Sequence, residues 1–218
     1  MNVGPKVLVS INNVPFITDT LVTAWVIVIL LIIFAKVVTS NLKMIPGRLQ
    51  MVAEVFVTTI IDFIDGLMPG EGRKYLPLIG TIFLFIGVSN LSGFIPFVNN
   101  PTADLNTTLG FALVVFVVSH YAGSKAQGVW NYLKGFAQPV PFLLPLNIIS
   151  EMAKPVSHSF RLFGNILGGG IILGIAMKFI PWFLPVPLIA WFDLFVGVIQ
   201  ALIFTMLSIV YIAVAKDG

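Results

Sequence analysis

The 218-residue chain has no cysteine, only two histidines and few charged residues. The lack of cysteine excludes disulfide bonds, thiolate metal sites and a cysteine nucleophile. Charged residues make up 10% of the chain and apolar residues 58%, whereas a soluble domain has about 25% charged residues. Such a chain has too little polar surface to cover a globule in water. The composition therefore predicts an integral membrane protein, and the net charge of +3 is too small to indicate a nucleic-acid partner.

The apolar residues form long runs instead of the short alternating segments of a membrane β-barrel. We therefore expect an all-α integral membrane protein, because a helix satisfies its own backbone hydrogen bonds in lipid. The chain reads as a single membrane domain with about five transmembrane helices and no soluble domain or internal repeat. The predicted spans cover residues 20–38, 76–97, 105–121, 142–179 and 188–215.

A further helix is predicted between the first two spans, over about residues 48–67. Its apolar residues alternate with Glu54, Asp62 and Asp65, which is typical of an amphipathic helix lying at the membrane surface.

Basic residues are unevenly distributed among the predicted loops, which indicates the orientation of the chain. Cytoplasmic loops of membrane proteins carry an excess of lysine and arginine. The asymmetry predicts an outer N-terminus and a cytoplasmic C-terminus. Only Lys6 and Lys178 then lie outside, and the loops assigned to the cytoplasm carry Lys36, Lys43, Arg48, Arg73, Lys74, Lys125 and Lys134.

The fourth predicted span is too long for a bilayer. At 1.5 Å per residue it would extend about 57 Å, nearly twice the 30 Å hydrocarbon core. It must tilt strongly or break, and with the last span it is expected to form a long tilted helix pair.

Five polar residues recur along this fourth span at steps of three or four: Glu151, Lys154, His158, Arg161 and Asn165. This spacing places them on one helix face, which should contact protein or water and not lipid. One interpretation is hydrogen bonding between helices. A charged residue at the bilayer centre costs about 2.5 to 3.5 kcal/mol, however, so a functional role is favoured for Arg161.

Small residues follow the arginine on the same predicted helix: Gly168, Gly169, Gly170 and Gly174. Glycines in membrane helices allow a neighbouring helix to approach closely. The alternative is a hinge in an overlong helix.

The last span carries Asp193 and Gln200, which are seven residues apart and so share a helix face. Asp193 is a candidate for ion exchange, or alternatively an interfacial residue at the outer end of the helix. If the last two helices are antiparallel, Gly170 lies about 14 Å from Arg161 and Asp193 about 10 Å from Gln200, both toward the outside. The two positions are then at about the same depth.

Motifs for phosphate binding or hydrolysis are missing: there is no phosphate loop, HExxH or GxSxG. We expect no metal, no cofactor and no catalysis by this chain alone.

The segments "KPVSHSFRLFGN", "IQALIFTMLSIVYIA", "PTADLNTTL" and "PLNIISEMAKP" resemble the a subunit of rotary F-type ATP synthases, with the strongest likeness over residues 139–215. The resemblance implies an ion-conducting stator beside a ring of c subunits, with two half-channels that do not meet. The family's essential arginine matches Arg161, its asparagine Asn165 and its late glutamine Gln200. Arg161 would then attract each ring carboxylate and block a direct leak, since arginine does not deprotonate in proteins.

The resemblance also implies partners and a location. The partners are the c ring, the b-type peripheral stalk subunits, the lipid bilayer and, indirectly, the F1 catalytic sector. The location is an energy-transducing membrane, the plasma membrane in a bacterium. The ion remains open between H⁺ and Na⁺.

The chain departs from the family at two positions. Many relatives have Glu or His nine residues after the arginine, where this chain has Gly170, and Asp193 stands seven residues before the glutamine. Our hypothesis is that the outer-channel carboxylate has moved from one helix to the other at the same depth.

Two other classes of function remain as alternatives. One is a secondary transporter that binds an anionic substrate at Arg161, although no inverted repeat is detected. The other is an intramembrane metalloenzyme with His158, Glu151 and Asp193 as ligands.

Overall fold

A computed structural model describes residues 7–11, 14–40, 42–95, 98–137, 140–179 and 185–217, without the side chains of residues 7–17, 185–186 and 193. Five of its helices are long and apolar enough to cross a membrane, which confirms the predicted all-α fold. A short antiparallel hairpin precedes the first span, with strands β1 (Val7–Ile11) and β2 (Val14–Thr18). The sequence analysis did not predict this hairpin.

The helices follow the predicted order. Their bounds are α1 Asp19–Thr39, α2 Arg48–Asp65, α3 Gly72–Ser92, α4 Leu105–Gln127, α5 Val129–Gly135, α6 Leu144–Phe179, α7 Pro185–Ile189 and α8 Gly197–Asp217. Short 3-10 turns precede α4 and α6, at Pro101–Ala103 and Pro141–Leu143. A π-helical segment, Ala190–Val196, joins α7 to α8.

Two helices end elsewhere than predicted. α3 ends at Ser92, five residues before the predicted limit, and the Asn100 side chain occupies the space where a Cβ on Gly93 would stand. α4 extends to Gln127, beyond the predicted residue 121, and stops before Gly128, whose φ of +83° favours glycine.

α4 has a central position in the bundle: it packs against both α6 and α8, and α8 also packs against α3. α6 and α8 contact each other over a shorter region. α2 packs on α3 through its buried residues Ile60 and Ile64. One apolar core lies at the level of Arg161, formed by Ile27, Ile82, Phe85, Ile86, Ala112, Val115, Leu162, Ala201 and Phe204.

Contacts between helix ends show which ends lie together. The start of α3 meets the end of α8 where Glu71 binds Lys216 at 2.8 Å, and Gln127 at the end of α4 donates to the carbonyl of Ala215 at 3.1 Å. At the opposite end, Thr20 of α1 donates to Asp104, which caps α4, at 3.0 Å. The spans therefore alternate in direction, as the predicted topology requires.

α6 is one unbroken helix of 36 residues that includes the buried Pro155. It remains α-helical through Gly168, Gly169 and Gly170, so the structure has no hinge there. At about 54 Å it exceeds the hydrocarbon core. Of the two predicted solutions, a break is therefore absent from the described helix.

Candidate functional site

The register between α6 and α8 follows from two contacts. The rings of His158 and Phe204 are 3.7 Å apart, and a Cβ on Gly169 would lie 3.0 Å from the Phe192 ring. Residue numbers rise on α6 as they fall on α8, so the two helices are antiparallel. This register puts Arg161 near the level of Gln200, and Gly169 and Gly170 near the level of residues 192 and 193.

Arg161 stands at the centre of α6 and is exposed on the surface of the chain. Within the described part of the chain, no carboxylate lies within salt-bridge distance of its guanidinium. Asn165 is half-buried one turn further along, and Gln200 on α8 is buried at 7% exposure. The polar stripe therefore extends from a buried to an exposed side of α6.

A cavity of about 670 Å³ opens between α4, α5, α6 and α8. It follows α6 from Asn147 to His158, about 17 Å of helix axis and roughly half the 30 Å hydrocarbon core. It ends one helical turn before Arg161, which does not line it. Its other polar lining residues are Ser119, Gln127, Asn131, Tyr132, Ser150, Glu151, Lys154 and Tyr211.

The cavity contains one ion pair, in which Lys154 donates to Glu151 three residues earlier on α6. The Lys154 ammonium also lies 5.9 Å from the ring of Tyr211. Burial, with a smaller contribution from the Glu151 charge, raises the pKa of Tyr132 on α5. The cavity is thus a polar space with both signs of charge, and three members of the predicted stripe line it.

His158 lies at the inner end of this cavity and is only 2% exposed. Its ring contacts Phe204 and lies 5.5 Å from Tyr211. Nε2 is 3.5 Å from the hydroxyl of Ser208, and Nδ1 has no hydrogen-bond partner in the described structure.

The glycines after Arg161 differ in their surroundings. Gly169 is buried, and a Cβ built on it would meet the side chain of Phe192. No described atom lies within 4 Å of a Cβ built on Gly168 or Gly170, so in this chain these two positions face open space. Gly174 is half-buried.

A second polar cluster lies at the opposite end of the bundle. Asn90 on α3 is fully buried, donates to the carbonyl of Gly197 at 2.7 Å and accepts from Thr102 at 2.6 Å. Asp104, 8% exposed, accepts from Thr20. The sequence leaves two interpretations for Asn90 and Asp104, lining water or hydrogen bonding between helices, and favours the second. Their occurrence within or next to apolar spans was the signal of a buried network.

Asp193 lies in the π-helical segment that precedes α8, and its side chain is outside the described part of the structure. The prediction that it shares a face with Gln200 assumed an α-helix through both residues. A π turn closes its hydrogen bonds over five residues and so changes the phase of the helix. The seven-residue spacing therefore does not by itself place the two residues on one face.

The sequence model of the family described as "ATP synthase A chain" matches residues 21–213. The chain belongs to this family. It is 41% identical to the ATP synthase subunit a of Moorella thermoacetica over 97% of this chain and 96% of that protein. It is 40% identical to the ATP synthase subunit a 2 of a Bradyrhizobium species, over 91% of this chain and 89% of that protein. A third relative, from Propionigenium modestum, is described as subunit a, sodium ion specific, and is 36% identical over 90% of this chain and 73% of that protein.

Membership of this family makes the chain an ion-translocating stator of the Fo sector, which carries H⁺ or Na⁺ across a membrane. The metalloenzyme hypothesis is wrong on geometry. Glu151 and His158 line the cavity, whereas Asp193 lies beyond Arg161, about 27 Å from Glu151 along the axis of α6. The family also removes the basis for a separate anion transporter.

Proposed function

We propose that Arg161 separates two aqueous half-channels against a rotating c ring, and that the cavity at Glu151, Lys154 and His158 is the cytoplasmic half-channel. The observation that carries the proposal is a polar cavity that follows α6 for about 17 Å of its axis. It ends one turn from an exposed arginine without a carboxylate partner in the described chain.

An exposed cation at the centre of a spanning helix, with no carboxylate partner among the described residues, fits a partner on another subunit. Ionisable residues within membranes pair with one another or face water. The surface around Arg161 is otherwise apolar: Val156, Phe160, Ile199 and Leu202 are exposed large side chains of α6 and α8. A helix of another subunit that carries one carboxylate at this depth fits such a surface, and the c ring supplies it.

The cytoplasmic assignment rests on charge. The cavity opens where α4 and α8 end, at the same end of the bundle as Lys74, Lys125, Lys134 and Lys216. The positive-inside rule places this end in the cytoplasm and the N-terminus outside. We assign the chain to a bacterial inner membrane, with b-type stalk subunits and, through them, the F1 sector as further partners.

For the outer half-channel we propose Asp193 as the ion-exchanging carboxylate. The register supports its position beyond Arg161 and away from the cavity. Asn165 and Gln200 lie between the two half-channels, near Arg161, as polar residues of the ion pathway. Gly168 and Gly170 leave room for a closely approaching partner helix, and we propose the same role for Gly174.

The proposal is tested with Arg161→Ala and Arg161→Lys in the assembled complex. Both variants should lose ATP-driven ion pumping in inverted vesicles, because alanine has no charge and lysine loses its proton when desolvated. Lys178→Ala is the matched control, since Lys178 is another exposed basic residue of α6. Co-purification of the c and b subunits checks assembly. A normal ion gradient in Arg161→Ala vesicles would contradict the proposal.

A further inference from the structure

The short helix α5 forms one wall of the polar cavity and has two unlike faces. One face lines the cavity, through Asn131, Tyr132 and Gly135. The other face is exposed and apolar with a basic edge, and it consists of Val129, Trp130, Leu133 and Lys134. A short helix with exposed apolar residues and a basic edge at the end of a membrane bundle is typical of a helix in the bilayer interface.

Contacts on both sides hold α5 in this orientation. Tyr132 lies against α4, because a Cβ built on Gly123 would be 2.6 Å from its ring. The ring centroids of Tyr132 and His120 are 5.9 Å apart. Toward α6, the side chain of Asn147 donates to the carbonyl of Phe136 at 2.9 Å. The exposed face is therefore a fixed part of the bundle surface.

Two lysines at this end of the bundle lie over exposed aromatic rings. The Lys134 ammonium is 5.5 Å from the centroid of the Trp130 ring, and the Lys125 ammonium is 5.9 Å from that of Tyr121. Trp130 is 70% and Tyr121 65% exposed. Among the described residues, neither lysine has a carboxylate within salt-bridge distance. This edge of the chain therefore offers positive charge directly beside apolar surface.

The arrangement matches the level at which acyl chains meet headgroups. α4 has 23 residues and is about 34 Å long, close to the thickness of the hydrocarbon core. α5 follows directly after Gly128, so it lies at the edge of that core. Tryptophan and tyrosine are enriched at this level, and lysine side chains extend across apolar surface to reach the headgroups. An anionic phospholipid supplies acyl chains and a negative phosphate in one molecule, which fits an apolar face with a basic edge.

We propose that the exposed face of α5 binds an anionic phospholipid, with its acyl chains against the apolar side chains and its phosphate on Lys134. Lys125 adds a second positive charge at the same end of the bundle. Because the opposite face of α5 lines the cavity, the bound lipid supports the cavity wall from outside. The binding is independent of the role proposed for Arg161.

The test uses the assembled complex in phosphatidylcholine nanodiscs that contain a small fraction of one lipid with brominated acyl chains, either phosphatidylglycerol or phosphatidylcholine. Bromine quenches the fluorescence of a tryptophan that it contacts, and Trp130→Phe in each background isolates the signal of Trp130. Brominated phosphatidylglycerol should quench Trp130 more strongly than brominated phosphatidylcholine at the same fraction. Lys134→Gln should lower this preference by about fivefold, the contribution of one basic residue near anionic lipid. Lys134→Arg should retain it.

Lys43→Gln is the matched control and should leave the preference unchanged. Lys43 is another exposed lysine, in the loop before α2, and no aromatic ring of the described residues lies beneath its ammonium group.

Three results would overturn the proposal. Absence of quenching by either lipid would mean that another subunit covers α5. Equal quenching by both lipids would mean contact with acyl chains without recognition of the headgroup. An unchanged preference in Lys134→Gln would mean that this lysine does not hold the phosphate. None of these results depends on ion pumping by the Arg161 variants, so the proposed function stands or fails separately.

Discussion

Gly169 of α6 packs directly on Phe192 of the π-helical segment, with the ring 3.0 Å from the position of an added Cβ. This distance is shorter than an ordinary van der Waals contact, and the aromatic side chain must shift to admit even a methyl group. The contact holds the outer parts of the two helices in register.

We expect Gly169→Leu to impair assembly or coupling, because the larger side chain separates α6 from the segment that carries Asp193. The measurement is the yield of assembled complex and ATP-driven pumping per complex. Gly110→Leu on α4 is the matched control, since no described atom lies within 4 Å of a Cβ built on Gly110. Equal assembly and coupling in the two variants would show that the contact with Phe192 is dispensable.

The outer carboxylate gives a prediction about two positions. Asp193→Ala should slow ATP synthesis by about 10² to 10⁴, the range of general acid–base catalysis. If Gly170 marks the same depth, Gly170→Glu combined with Asp193→Gly should recover part of the lost rate. Gly170→Glu alone should be impaired, since two carboxylates near one site repel each other.

The readout for these variants is the ATP synthesis rate in inverted vesicles, normalised to the amount of assembled complex. A wild-type rate in Asp193→Ala would exclude Asp193 from the pathway. A double variant without recovery would leave Asp193 in the pathway and refute a shared site. The open space at Gly170 accommodates the added side chain within this chain.

Asn90 connects α3 to the start of α8 through its bond to Gly197. Asn90→Leu should lower the thermal stability of the subunit in detergent, because the Thr102 hydroxyl loses its buried acceptor. The expected cost is about 1 to 3 kcal/mol for such a buried polar group. Asn106→Leu is the control, since Asn106 is exposed and the hydrogen bond that joins it to Asp104 uses its backbone. Equal melting temperatures would show that the Asn90 network does not stabilise the fold.

Glu71 gives a pH-dependent prediction at the cytoplasmic end. Hydrogen bonds from Lys216 and Lys74 lower the pKa of the Glu71 carboxyl from 4.5. A lowered folded-state pKa stabilises the fold above the unfolded value, and this contribution disappears as the pH falls through the folded value. At neutral pH wild type should therefore have a higher melting temperature than Glu71→Gln. The difference in the free energy of unfolding should be small, about 1 kcal/mol or less for partly exposed pairs.

The difference in melting temperature between wild type and Glu71→Gln should shrink as the pH is lowered below 4.5. Glu54→Gln is the control, because Glu54 has no salt bridge among the described residues and accepts only from Gln50 of its own helix. A difference that is constant with pH would mean that the ion pair is not its source.

The number and order of the spans could be predicted from the sequence because a bilayer imposes a long apolar run on every crossing. The stripe that contains His158 and Arg161 could be predicted as well, since helix periodicity fixes which residues share a face of a single helix. The same local rule assumes an α-helical period between Asp193 and Gln200, and a π-helical segment interrupts that period.

Only the tertiary structure determines which residues of the polar stripe on α6 line the cavity and which are exposed. α4, α5 and α8 surround α6 up to His158 and leave Arg161 exposed, and no periodicity along α6 contains that information. The same holds for Gly169, which meets Phe192, and for Gly168 and Gly170, which meet no described atom. Sequence determines which residues a helix offers on each face. The packing of neighbouring helices determines which of them become a cavity wall, a contact or an exposed charge.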